Sequence, residues 1–310
     1  MSGRVVVAGG SGYIGRALVR SLADDGEVVV LTRDPERAAK ALPRGARAVR
    51  WDGRTVEDTW AWELAGARGV VNLAGASVGS PPRWTGRRKR AILASRLDST
   101  AALVEALRRL GPVERPPVLV NTSGIDYAGS TGDAVVTEEA RPGDSFLARV
   151  CVRWEAAACR AEELDVRVVL MRTPFVVSRE APAVKLLVLP FRLYAGGPLG
   201  GGEQWFPWAH LEDTVGLFRL ALSTELSGPL NVVAPDVRRQ RDLAREIGRV
   251  LGRPARLPVP SLALRLLLGE AADIVLHGQR ATSRSGAAGY RFRYPGLSDA
   301  LEEALGPAGS

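Results

Sequence analysis

Cysteine and histidine are scarce: the 310-residue chain carries two of each. Cys151 and Cys159 fall in one helical pattern, roughly 12 Å apart along the axis. That separation excludes a disulfide between them, and reduced thiols fit a reducing compartment. His210 and His277 complete no Cys/His spacing suited to a metal, so none is expected. No uninterrupted apolar run is long enough to span a bilayer, which argues against a membrane partner. A strand pattern begins at Val5, leaving no room before it for a signal peptide, and the cytoplasm is the expected compartment. Acid is also in deficit, with 34 Asp+Glu against 42 Lys+Arg and a formal charge of +8. The excess is scattered arginine except for one cluster, Arg83 with Arg87-Arg88-Lys89-Arg90. The cluster reads either as a solvated helix start or as an anion-facing patch. No stacking aromatics or nucleic-acid motif accompany it, so nucleic acid is not an expected partner.

What the chain does have is ordinary globular composition, 46% hydrophobic and 25% charged, and one informative stretch. Val5 to Val7 form an apolar β-branched run, followed at once by Gly9-x-x-Gly12-x-x-Gly15 and a helical pattern from Tyr13. Strand, glycine turn and helix together predict a phosphate cradle. Gly9 permits the tight turn, Gly12 lets a pyrophosphate approach the backbone, and Gly15 lets helix and strand pack closely. Open backbone N–H groups and the helix dipole favour an anion there. Strand patterns at 28–31, 46–51, 69–73, 117–121 and 166–171 alternate with helical ones, including 86–110 and 145–164. Asp34-Pro35 starts another helix.

This repetition predicts an α/β fold, a doubly wound parallel Rossmann-like sheet with helices on both faces. Ligands of such a sheet bind beyond the carboxyl ends of its strands. After residue 175 the texture changes. Residues 194–209, rich in Gly, Pro and Trp, read as a shaped loop. Helix 211–222 and strand 229–233 return to the sheet, and helices follow at 239–251, 261–268 and 298–305. The expected division is a dinucleotide-binding domain over 1–175 with 211–235, and a smaller C-terminal substrate lobe over 176–210 and 236–305. The tail 306–310 is expected to fray.

The second strand selects the cofactor. It ends Leu31-Thr32-Arg33, with no acid in place for a ribose 2′-hydroxyl, and Arg33 suits a 2′-phosphate. Arg37 lies one turn into the next helix. NADP(H) is therefore expected over NAD(H), the alternative being that Arg33 is an ordinary surface arginine.

With Asn72-Leu73-Ala74-Gly75 and a serine on the fifth strand, these features resemble the extended short-chain dehydrogenase/reductase superfamily. More narrowly, the chain resembles its atypical epimerase-like subgroup, whose small C-terminal domain has no assigned role. The marks are Arg83-Trp84-Thr85, Lys89, Ser95-Arg96, Val136-Thr137-Glu138-Glu139, Arg153-Trp154-Glu155 and Phe191-Arg192-Leu193. Further along come Gly196-Gly197-Pro198, Trp208-x-His210-x-x-Asp213 and Gly278-Gln279-Arg280. The resemblance implies cofactor contacts at Gly9, Gly12, Tyr13, Ile14 and Gly15 on the turn, and at Thr32 and Arg33 on the second strand. It adds Leu73, Ala74, Gly75 and Arg96 beyond the fourth, and Thr122 and Thr173 at the ends of the fifth and sixth.

The superfamily's Tyr-x-x-x-Lys pair is missing: alignment on Glu155 places Leu147 and Cys151 there, and neither can do that work. The candidates that remain are Ser123, which in the superfamily bonds the reacting oxygen, and Tyr127, the first choice for proton donor. Asp126 reads either as a new acid or base or as a turn residue. His210 reads as an acid or base or as a structural hydrogen bond, and His277 as structural. Ala76 and Pro174 depart from the subgroup near the expected nicotinamide position. Trp205, Phe206 and Trp208 either wall an apolar pocket or pack a core. The resemblance implies an NADP(H)-dependent oxidoreductase or epimerase acting on a small carbonyl or alcohol. The rivals are an enzyme of the same fold without net redox chemistry and a non-catalytic NADP(H) sensor. Expected partners are a small-molecule substrate and, as an open option, a second copy in a homodimer.

Overall fold

The computed structural model describes residues 3–80 and 83–306. Seven strands form one sheet: β1 (Val5–Ala8), β2 (Val28–Thr32), β3 (Ala46–Arg50), β4 (Gly69–Asn72), β5 (Val118–Gly124), β6 (Arg167–Thr173) and β7 (Gly228–Asn231). Their order is β7-β6-β5-β4-β1-β2-β3, and every pairing is parallel. Strand order reverses at β1, which lies between β2 and β4. The crevice at such a reversal is where α/β sheets receive ligands.

The helices of two turns or more are α1 (Tyr13–Ala23), α2 (Gly86–Arg109), α3 (Phe146–Cys159), α4 (Pro182–Arg192), α5 (Leu211–Ser223), α6 (Gln240–Leu251), α7 (Ser261–Leu268) and α8 (Leu297–Leu305). Alternation along each strand divides the core in two. Val6, Val29, Val70, Leu119 and Val168 face α2 and α3, meeting Leu103, Leu107 and Ala158. Val5, Val7, Val30, Val120 and Met171 face α1 and α5, meeting Leu18, Val19, Leu217 and Phe218. A third core joins Val184, Val188 and Phe191 of α4 to Trp208, Ile247 of α6 and Leu301 of α8.

Several expected boundaries shift. The helix expected over 145–164 ends at Cys159; a 3₁₀ turn, Glu162–Leu164, and Asp165 at φ 59° redirect the chain into β6. The helix after Asp34 is a single turn, Pro35–Ala39. Helix α4 was not expected, and residues 194–209 are not wholly loop. Trp205–Phe206 pairs antiparallel with Arg238–Arg239, and Trp208–His210 pairs parallel with Phe175–Val177. The C-terminal segment also returns to the long loop after β5. Val135–Val136 pairs with Arg280–Ala281, and Gln279 Nε2 donates to the Gly129 carbonyl at 2.9 Å. Of the expected frayed tail only Gly306 is described; 307–310 lie outside the described residues. Among the described residues no helix is long and apolar enough to cross a membrane, and no His/Cys/Asp/Glu cluster could hold a metal.

Phe218 is fully buried between α5 and the sheet. Phe218→Ala is expected to cost about 3–5 kcal/mol, read as a lower urea midpoint with the slope unchanged. A loss within ~0.5 kcal/mol, the range of an ordinary surface substitution, would contradict this packing.

Candidate active site

The glycine turn is built as a cradle. Gly9 has φ 76°, and a Cβ on it would stand 2.9 Å from the Ala74 nitrogen. A Cβ on Gly15 would stand 2.5 Å from the Gly9 carbonyl oxygen. Both positions therefore require glycine. The Gly12 N–H donates back to Gly9 O at 3.0 Å, and Gly12 caps α1 without a side-chain bond. No acid occupies the first turn of α1, so the N–H groups of Tyr13, Ile14 and Gly15 present a positive helix end. The Tyr13 side chain turns away, its hydroxyl 2.5 Å from Ser178 Oγ, and burial pushes its pKa up to about 12.

Arg33 and Arg37 are exposed beyond β2. Asp34 is committed to capping the next helix, accepting from the Arg37 N–H at 3.0 Å. Thr32 Oγ1 lies 3.3 Å from Ser11 Oγ. Beside them, the Leu73 N–H donates to Ala8 O at 2.9 Å and the Ala74 N–H to Asn72 Oδ1 at 3.1 Å. Asn72 is fixed in turn: its Nδ2 donates to Asn121 Oδ1 at 2.7 Å and Thr100 Oγ1 at 3.0 Å. Gly75 lies against the guanidinium of Arg96.

At the carboxyl ends of β5 and β6 a buried ionic group organises the floor. Arg172 Nε and Nη2 each donate to Glu155 at 2.9 Å, and Nη1 donates to the Glu138 carbonyl at 3.0 Å. Ser123 donates its hydroxyl to Glu155 Oε1 at 2.6 Å. The Tyr127 ring lies 3.6 Å from the Arg172 guanidinium carbon, and the Tyr127 hydroxyl bonds to no described residue. Ser123 and Tyr127 are thus brought together through Arg172 and Glu155. Thr122, on the opposite face of β5, has a buried hydroxyl without a partner among the described residues. Thr173 Oγ1 donates to the Met171 carbonyl at 3.1 Å.

Leu147 packs with Trp84, Phe146 and Leu268. Cys151 is buried, and burial pushes its thiol up to about 12. Neither replaces the missing acid–base pair. Asp126 stands near Cys151, and burial raises its carboxyl above the ordinary 3.8. His210 belongs to a different neighbourhood. Its Nδ1 accepts from the Glu212 N–H at 3.3 Å, which leaves the ring proton on Nε2, 3.1 Å from Glu303 Oε2. It caps α5 and stacks on Tyr294 at 3.9 Å. The cavity of about 220 Å³ beside it is lined by Tyr13, Arg16, Arg20, Ser178, Arg179 and Glu303, none of which belongs to the Ser123–Tyr127 group.

Other expectations resolve locally. Trp208 is core, donating Nε1 to Asp236 O at 2.8 Å, and Phe206 stacks on Phe175 at 5.1 Å. Trp205 lies between Arg239 and Arg280, its Nε1 donating to Asp133. His277 lies 3.4 Å from Asp273 on the surface. Arg83, Arg87 and Arg90 are solvated, whereas Lys89 pairs with Glu270 at 2.8 Å and Arg88 holds the Ser77 and Ser80 carbonyls. Sequence reasoning missed the Glu155–Arg172 pair. Its signal was present: a lone charge closing the apolar run Val168–Met171, and another within an apolar helix.

Sheet order, glycine turn and cleft define a dinucleotide-binding α/β protein of the Rossmann type. The chain belongs to the NAD dependent epimerase/dehydratase family, whose profile matches residues 5–233; a "Domain of unknown function (DUF1731)" matches 259–304. It is 37% identical over 96% of its length to the Epimerase family protein SDR39U1 homolog, chloroplastic, of Arabidopsis thaliana, covering 85% of that protein. Against the Epimerase family protein SDR39U1 of Bos taurus the identity is 36%, over 97% of this chain and 99% of the relative. The crystal structure of human epimerase family protein SDR39U1 (isoform 2) with NADPH superimposes at TM-score 0.85 and 34% identity, covering 97% of this chain and 99% of that one.

The half-buried Asp126 sets a pH dependence. Its carboxyl has a higher pKa folded than unfolded. The stability it contributes is therefore full below about 3.8, the unfolded value, and is lost as pH rises through the folded one. Asp126→Asn removes this loss. Urea unfolding is expected to show the variant gaining on the parent as pH rises above about 4; a difference independent of pH would contradict the assignment.

Proposed function

We propose that the protein is an NADP(H)-dependent oxidoreductase or epimerase acting on a small carbonyl or alcohol. The observation that carries the reading is the open first turn of α1, held behind Gly9 and Gly15 at the point where strand order reverses. The cofactor's pyrophosphate fits the N–H groups of Tyr13 to Gly15, and its 2′-phosphate fits Arg33, which no carboxylate among the described residues engages. The unpartnered Thr122 hydroxyl supports a ligand at the end of β5. The human relative with NADPH in its crystal supports the same choice. The bound dinucleotide supplies a hydride donor or acceptor.

The chain's own residues supply position and protons. Tyr127, with a free hydroxyl over the Arg172–Glu155 pair, is the proposed proton donor. Ser123 has its hydrogen directed at Glu155 and also meets the Cys151 thiol; its remaining lone pair accepts from a substrate hydroxyl. Asp126 takes the role of proton donor if the Tyr127 hydroxyl does not reach the reacting atoms. His210, with both ring nitrogens engaged, is proposed to fix the chain entering α5. Residues 176–210 and 236–305 form the proposed substrate lobe facing 1–175 and 211–235. A second reading, isomerisation or dehydration without net redox change, is favoured by Leu147 and Cys151 standing where an acid–base pair would; turnover would then leave cofactor absorbance unchanged.

Calorimetry at one salt concentration tests the cofactor. NADPH is expected to bind about tenfold or more tightly than NADH, or ~1.4 kcal/mol. Arg33→Ala should remove most of that preference and leave NADH nearly unchanged. Equal affinities in the parent would overturn the reading.

A further inference from the structure

One guanidinium beside the turn after β4 has no anion to answer it among the described residues. Arg96 projects from α2 toward the turn after β4. Its Nη1 donates to the carbonyls of Ala76 and Ile92, each at 3.0 Å, and its plane covers Trp154 at 4.9 Å. Gly75 makes room for it, since a Cβ there would stand 3.3 Å from Cζ. These contacts fix the fork in one orientation. They leave the Nε–Nη2 edge without a hydrogen bond to any described residue.

The charges around Arg96 do not compensate it. Arg88 has the same sign, and the nearby Cys151 thiol is held neutral by burial, its pKa pushed up to about 12. Asp126, next to that thiol, is pushed by burial toward its neutral form. Desolvation lowers the pKa of Arg96 itself. A desolvated cation without a counter-charge is unfavourable, and a ligand anion relieves it. The Nε–Nη2 edge offers two parallel N–H groups, the geometry that takes a carboxylate side-on through two charge-assisted bonds.

We propose that Arg96 is the anion subsite of this cleft and binds a carboxylate of the substrate through its Nε–Nη2 edge. The proposal rests on reading the cleft as a site for dinucleotide and substrate together. The family resemblance counts Arg96 among the cofactor contacts, and cofactor phosphate shares the required chemistry. Its two expected positions, the N-terminus of α1 and Arg33, belong to β1 and β2, whereas Arg96 stands beyond β4. The substrate class narrows accordingly, to small carbonyl or hydroxy compounds that carry a carboxylate.

Oxalate is the probe, titrated calorimetrically into the protein alone and into the protein saturated with NADPH. The parent is expected to bind oxalate in both forms. Arg96→Lys should weaken binding about tenfold, because an ammonium cannot reproduce the fork. Arg96→Met should weaken it about a hundredfold or more. Three results would each overturn the proposal: no oxalate binding by the parent, equal binding by Arg96→Met, or loss of oxalate binding when NADPH saturates the protein. The last would assign the edge to the cofactor. Failure of NADPH to bind the parent would instead count against the cofactor reading, and the titration of the protein alone would still decide the role of Arg96. If Arg96→Met does not fold, Arg96→Lys carries the comparison, and oxalate affinity equal to the parent's overturns the proposal.

Discussion

The Glu155–Arg172 pair is the interaction on which the cleft depends. Both residues are buried, at 6% and 4% exposure, where an unpaired charge would be strongly destabilising. Here each charge is satisfied. Two parallel bonds join the fork to the carboxylate, a third reaches the Glu138 carbonyl, and Ser123 supplies a further donor to Glu155. The pair ties α3 to β6, and the Arg172 plane provides the surface on which Tyr127 rests. Glu138 extends the group: its carboxylate accepts from the backbone N–H groups of Asn231 at 3.0 Å and Arg284 at 2.9 Å. One ionic contact thus reaches the long loop after β5, the edge strand β7 and the C-terminal segment.

Much of the fold is legible in the sequence because it is local. Val5 to Val7, the glycine spacing and the apolar stripe of α1 identify strand, turn and helix within a short window, and the structure builds them there. Residues 86–110 and 261–268 likewise form helices close to their expected limits. Helix α4 was missed because its pattern is apolar nearly all round. Val184 and Val188 are buried, but Leu186 is 69% exposed and Leu189 50%, so no stripe marks a face. The end of α3 was misplaced because helical backbone continues past Cys159 as the 3₁₀ turn Glu162–Leu164, which the left-handed Asp165 ends.

The candidate site was half legible, for a different reason. Residue types at strand ends can be read, but partners cannot. Nothing near Ser123 in the chain says that its proton belongs to Glu155, and Glu138 meets Arg284 only through the returning C-terminal segment. His210 is the opposite case: an imidazole at a strand end invites a chemical role, while both ring nitrogens are engaged by the start of α5 and by α8. Where relatives in the wider superfamily are expected to carry a tyrosine and a lysine, Leu147 packs in an apolar cluster and Cys151 is a buried thiol. Polarity is displaced to Tyr127, Asp126 and Arg96, on other elements.

A double-mutant cycle on Arg172→Met and Glu155→Gln, followed by urea unfolding, tests most directly whether this pair assembles the cleft. Each single change should cost about 3–5 kcal/mol, since each strands a buried partner. The double variant should cost clearly less than the sum, with a coupling energy of about 1.5–3 kcal/mol. Additive losses, with coupling near zero, would show that the two residues act independently and would contradict the account.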